Sequence, residues 1–248
     1  MPAATQRRLT ALIVVRIVVL SVLLVAGLYG LQRLERFLIG DSRFALNEML
    51  EIEGASHASV SEIERVFSSD VGRSIYLLPL AARRERLLTV NWVRDASVAR
   101  LWPNRVVARV TERWPVAFLT LAPSRFALID EDGVILPPAT GKFELPVLAG
   151  VRASAPVTER RDKVRRMLRL TRELRDNARK LAEIDVSDPD NLKVSEPYEG
   201  RMITLFLGDH NFAGRYRNFV SHYAEIQRRL PGAATLDLRL EDRITVVE

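Results

Sequence analysis

Residues Leu9 to Leu31 form an apolar stretch of 23 residues broken by one charge, Arg16, and nothing else in the chain constrains its fold as tightly. At a helical rise of ~1.5 Å per residue the stretch crosses the ~30 Å hydrocarbon core of a bilayer. Arg16 is expensive at a bilayer centre, but it lies near the N-terminal end, where its long side chain can snorkel to the headgroups. Arg7, Arg8 and Arg16 stand on that side with no acid, whereas Arg33, Glu35, Arg36, Asp41 and Arg43 on the other side nearly cancel. The flanks therefore predict one membrane-spanning helix over 9–31, a cytoplasmic stub at 1–8 and the rest outside the cytoplasm. A cleaved signal peptide and a buried helix of a soluble fold are the alternatives. Cleavage fits poorly, because Leu or Val stands where small residues are wanted around Val25, Ala26 and Gly27.

All 31 acidic residues and 34 of the 37 Lys and Arg follow Leu31, which leaves that portion at +3. So mild a charge is no nucleic-acid signature. The chain has no cysteine, so an oxidising compartment is permitted but supplies no disulfide staples. More than two hundred residues remain after the apolar run, enough for two small domains or one large one.

Residues 32–43 read as an amphipathic, membrane-proximal continuation of the helix. Phe44 to Glu53 reads as a strand ending at Gly54. Ser59 with Glu62 three residues on is a capping box, opening a helix with Ile63, Val66 and Phe67 on one face. Ser74 to Leu78 reads as extended, and Pro79 suits the first turn of a helix through Leu88. Trp92 to Leu101 and Arg105 to Thr111 are strands joined by a turn at Trp102-Pro103-Asn104. The order over 44–113 is β-α-α-β-β.

This order resembles a POTRA module. Trp92-Val93 with Ala96, Val98, Arg100 and Trp102-Pro103, then Glu112-Arg113 with Pro115 and Ala117, resembles the bacterial cell-division family FtsQ/DivIB. Ala127-Leu128-Ile129-Asp130 with Asp132-Gly133, Leu145-Pro146-Val147-Leu148 with Gly150, and Leu236-Asp237-Leu238-Arg239 extend the resemblance through a second, β-rich domain at 114–248. Leu240 departs from it, standing where an aromatic often follows the Asp-Leu-Arg triplet. The resemblance implies an α+β protein with a transmembrane helix, a POTRA-like module and a β domain.

The second half, read from its residues, agrees. Val157 to Leu181 carries a helical stripe of Val164, Met167, Leu168, Thr171, Leu174, Ala178 and Leu181. Ile184 to Val186, Leu192 to Ser195 and Arg201 to Leu207 read as strands separated by turn-rich segments. Phe212, Tyr216, Phe219, Val220, Tyr223, Ile226 and Leu230 form a second stripe, stopped by Pro231-Gly232. Thr235 to Leu240 and Ile244 to Val247 read as final strands. The expected fold is an antiparallel or mixed sheet with helices on one face.

Chemistry is hard to find. The three histidines, His57, His210 and His222, lack metal-ligand spacing, and His57 reads as a solvated loop residue. Asp185, Asp188, Asp190 and Asn191 lack the central Gly and distal Glu of a calcium loop, so a turn is expected. Asp130, Glu131 and Asp132 read as a hairpin turn before Gly133. Nucleophile elbows, Walker loops and dinucleotide fingerprints are missing from the sequence. Residues 159–180 hold ten Lys/Arg against four Asp/Glu, which reads as a solvated helix face.

A binding role draws on the last strand. A sheet edge leaves N–H and C=O groups that an extended peptide can pair with. Ile244, Thr245, Val246 and Val247, with Arg239 and Leu240 before them, are therefore the expected partner-binding residues. The resemblance implies FtsB- and FtsL-like partners, no cofactor and a non-enzymatic scaffold of the division machinery in the inner membrane. A POTRA-bearing factor for outer-membrane protein assembly or secretion, and a membrane-anchored cell-wall enzyme, are the alternatives.

Overall fold

A computed structural model describes residues 3–47, 50–122, 125–138, 141–240 and 243–247, with side chains from Arg16 onward. The chain divides into two compact units, Met1–Glu112 and Arg113–Glu248.

The first unit opens with helix α1 (Ala3–Gly40), which runs through the apolar stretch and on past its polar end. Within it, an 18-residue window of the span Arg16–Gly40 reaches a mean hydropathy of 1.9 and none of that window is buried, which fits a single-pass membrane protein. Beyond Gly40 the Asp41 carboxylate accepts from the Arg43 amide at 2.9 Å and caps a 3-10 turn, Ser42–Phe44. This turn corrects the expected strand over 44–53: only β1 (Leu50–Glu53) is a strand among the described residues there. Phe44 is rolled into the core instead, and the Leu46 amide bonds to Arg73 O.

Ser59 caps α2 (Val60–Phe67), its hydroxyl accepting from the Glu62 amide, and Ile63 and Phe67 are buried on one face. The segment expected to be extended at 74–78 is a 3-10 turn, Ile75–Leu77, because the Ser74 hydroxyl accepts from the Tyr76 amide and curls the chain. Pro79, expected inside the first turn, stands one residue before α3 (Leu80–Leu87), its carbonyl accepting from the Arg83 amide at 3.0 Å. Strands β2 (Val93–Leu101) and β3 (Arg105–Glu112) form an antiparallel hairpin, and β1 joins β3 in parallel, giving the order β1-β3-β2. Gly54 ends β1 at φ 83°, where a Cβ would strike the carbonyl of Val110.

The second unit is built on one mixed sheet. Its strands are β4 (Pro115–Ala122), β5 (Arg125–Asp130), β6 (Ile135–Leu136), β7 (Val147–Ala149), β8 (Glu183–Asp185), β9 (Leu192–Tyr198), β10 (Arg201–Gly208), β11 (Thr235–Asp237) and β12 (Thr245–Val246). They lie in the order β12-β11-β10-β9-β8-β7-β4-β5-β6. Helices α4 (Val157–Leu174) and α5 (Phe212–Arg229) bury Val164, Met167, Leu170, Leu174, Phe212 and Phe219 in one core with Leu119, Leu148, Ile184, Val194 and Leu205 of the strands. Alternation along each strand sends the neighbouring residues to the other face.

Two expectations change here. The helix expected to reach Leu181 stops at Leu174, because Arg175 takes φ 54° and the chain continues as a 3-10 turn through Lys180. Leu181 still reaches the core, but from after the break. The strand expected over 235–240 ends at Asp237, whose carboxylate turns back to accept from the Arg239 amide at 2.9 Å.

Candidate partner-binding edge

Strand β12 closes one side of the nine-stranded sheet and, among the described residues, pairs with β11 alone. The register sets Val246 opposite Leu236 and Thr245 opposite Asp237. The Val247 amide donates to Thr235 O at 3.0 Å. Antiparallel ladders alternate hydrogen-bonded and non-hydrogen-bonded pairs, so Thr245 and Val247 turn their backbone groups toward β11. Val246 turns its N–H and C=O to the open side.

The Val246 side chain lies against α5. With Ile226 of that helix, Leu230 just after its end, Leu236 of β11 and Ile244 it lines an open groove of about 300 Å³, with His222, Glu225, Arg229 and Arg243 among the polar residues around it. Backbone edge and apolar groove are thus adjacent. Of the expected residues, Ile244 and Val246 are half-buried in the groove while Thr245, Val247 and Leu240 are exposed.

Arg239 is held by its own chain. Its Nε and Nη2 donate to the two oxygens of Asp237, the closest approach being 2.6 Å, and its guanidinium lies 6.0 Å from the Phe206 ring centre. The hydrogen bonds from Arg239 hold the Asp237 carboxyl below its ordinary pKa. The Arg239 side chain is nevertheless about half exposed.

Behind this edge stands Arg215 of α5, which the sequence did not single out. It is buried, and it donates to Leu207 O at 2.5 Å and to Arg239 O at 2.9 Å, clamping the end of β10 and the turn after β11 to the helix. The close approach requires Gly208, at φ 71°, since a Cβ there would collide with the guanidinium. A Gly ending a strand just before a helix bearing an inward Arg was the available signal.

The other sequence candidates are local structure. Asp185 and Asp188 accept from the amides of Ser187 and Asp190, as turn residues do. Asp130 is buried, accepting from the amides of Asp132 and Val134 and from Arg113 at 2.7 Å, and so pins the hairpin turn. His57 is corrected: it is part-buried, 2.9 Å from Glu112 Oε2 through Nδ1 and stacked on Trp92 with ring centres 4.8 Å apart.

Comparison with known proteins follows the same division. Residues 48–113 match the model of the POTRA domain, FtsQ-type, and residues 117–239 match that of the cell division protein FtsQ/DivIB C-terminal domain. The chain is 34% identical over 209 residues to the cell division protein FtsQ of Koribacter versatilis, covering 82% of this chain and 60% of that protein. It is 32% identical over 209 residues to that of Rhodothermus marinus, covering 80% of this chain and 76% of the relative. With that of Novosphingobium aromaticivorans it shares 30% over 233 residues, 90% of this chain and 68% of the relative.

Proposed function

The chain belongs to the FtsQ/DivIB family of bacterial cell-division proteins, and we propose that within the divisome it is a non-enzymatic scaffold that holds FtsB- and FtsL-like proteins through the open edge of β12. The observation that carries this reading is the outward-facing backbone of Val246 beside an apolar groove. A partner segment adding a strand to β12 gains main-chain hydrogen bonds, and an apolar side chain lowered between Ile226, Leu230 and Ile244 gains burial. Affinity then rests on the backbone and specificity on the groove.

Arg239, already paired with Asp237, would share its exposed guanidinium with a partner carboxylate and so fix register. Leu240, Thr245 and Val247 would form the rim of the contact. The charge flanking the apolar run supports an N-in orientation, with the chain beyond the membrane helix outside the cytoplasm and the protein concentrated at the septum. Cross-linking in intact cells followed by purification of this chain from membranes tests the reading. FtsB- and FtsL-like proteins should be recovered; outer-membrane barrel proteins in their place would overturn it.

A further inference from the structure

Helix α1 is built into the first unit. The Phe37 ring meets Phe44 edge-on at 5.4 Å, Phe44 meets Tyr76 at 5.5 Å, and the Ser74 hydroxyl donates to Leu38 O at 2.7 Å. The loop touched by the helix is tied in turn to the β2–β3 hairpin. Arg100 donates through Nε to Ile75 O and through Nη2 to Leu78 O, each at 2.6 Å. Arg100 pairs with Val106 and Leu101 with Arg105, so only the turn at residues 102–104 lies beyond. The hairpin turn, the 75–78 loop and the end of α1 therefore share one end of this unit, the end from which the apolar helix leaves.

That end carries apolar surface. Trp102, at the hairpin tip, is 73% exposed, and Val71, Tyr76 and Leu77 are exposed too. Arg33, Arg36 and Arg73 are exposed on α1 and the neighbouring loop, with Glu35 as an exposed acid among them. An indole at a tip gains little in water, whereas at a membrane surface its apolar body and N–H suit the headgroup layer, as arginines suit anionic lipid.

We propose that this end of the unit rests in the headgroup layer of the bilayer that α1 crosses, with Trp102 inserted there as a second anchor. The proposal rests on the membrane-spanning reading of α1. From Leu31 to Gly40 the helix rises roughly 14 Å at ~1.5 Å per residue, while the headgroup layer adds roughly 5 to 8 Å beyond the hydrocarbon. Helix tilt and the reach of the indole close the difference. With two points of contact the POTRA-like unit is held in one orientation on the membrane, and its strand edges are presented sideways to neighbouring proteins.

The test uses the full chain in lipid nanodiscs whose acyl chains are brominated close to the headgroup. Trp114→Phe leaves Trp92 and Trp102 as emitters, and the double variant Trp102→Phe/Trp114→Phe leaves Trp92 alone, so the difference isolates Trp102. Trp102 emission should be largely lost in brominated discs and shielded from acrylamide, while Trp92 should be unaffected by bromine. Trp102 emission unchanged by bromine, whether open to acrylamide or shielded by protein, would overturn the proposal alone. A chain that washes off the discs at alkaline pH would overturn the membrane-spanning reading and the proposal with it.

Discussion

The Tyr216 hydroxyl donates to Glu196 Oε2 at 2.9 Å inside the core of the second unit, while Oε1 of the same carboxylate is buried with no partner among the described residues. Burial pushes the Glu196 carboxyl above its ordinary value of 4.5, against the lowering effects of Tyr216 and Lys180. A raised folded pKa means that the native state holds the proton longer than the unfolded chain. The contribution of Glu196 to stability is therefore fully present below 4.5 and is lost as pH rises through the native value.

Glu196→Gln removes the charge and keeps an acceptor for Tyr216. Its thermal midpoint relative to the parent should rise steadily from acid to neutral pH, as read by scanning calorimetry at a series of pH values. A constant difference would mean that Glu196 is not the titrating group.

Glu112 carries the opposite sign. Burial raises its carboxyl, but bonds at 2.7 Å from the amides of Ser56, His57 and Ala58, together with the His57 ring, outweigh that and leave it below its ordinary value. Its contribution is present at neutral pH and is lost as pH falls through the lowered native value. Glu112→Gln should cost about 1 to 3 kcal/mol at neutral pH, and the cost should shrink on acidification. Urea titrations at two pH values check both points.

Trp92 is 3% exposed and sits at φ 72°, a left-handed conformation that its packing on His57 must outweigh. Trp92→Ala removes that packing and should destabilise the first unit by ~3 to 5 kcal/mol. Unfolding of the parent and variant in the same detergent measures it. An unchanged midpoint would contradict the core assignment.

Legibility followed locality. The β2–β3 hairpin and α5 were readable because period, breakers and turn residues agreed along one stretch, as in Arg105 to Glu112 and in Phe212 to Leu230 before Pro231. The strand expected from Phe44 failed because Phe44 is apolar for a different reason: it packs between Phe37 and Tyr76, contacts that no local pattern encodes. His57 read as solvated because its partner Glu112 lies 55 residues away. At the candidate edge, β12 was foreseeable from its β-branched run. The Arg215 clamp was not, since it reaches an acceptor 24 residues further along the chain, and the Arg239–Asp237 pair was hidden behind the strand expected over 235–240, which stops at Asp237.

The most direct measurement compares Val246→Pro with Thr245→Pro, each as a full chain in nanodiscs titrated with the FtsB-like partner. Val246 turns its amide outward, and proline at an outward edge position leaves the internal ladder intact. Val246→Pro should therefore fold like the parent and lose partner binding, whereas Thr245→Pro should loosen β12 itself. Arg239→Glu, which also places an acid beside Asp237, should weaken binding less than Val246→Pro. A folded Val246→Pro chain that binds the partner as tightly as the parent would contradict the sheet-edge account.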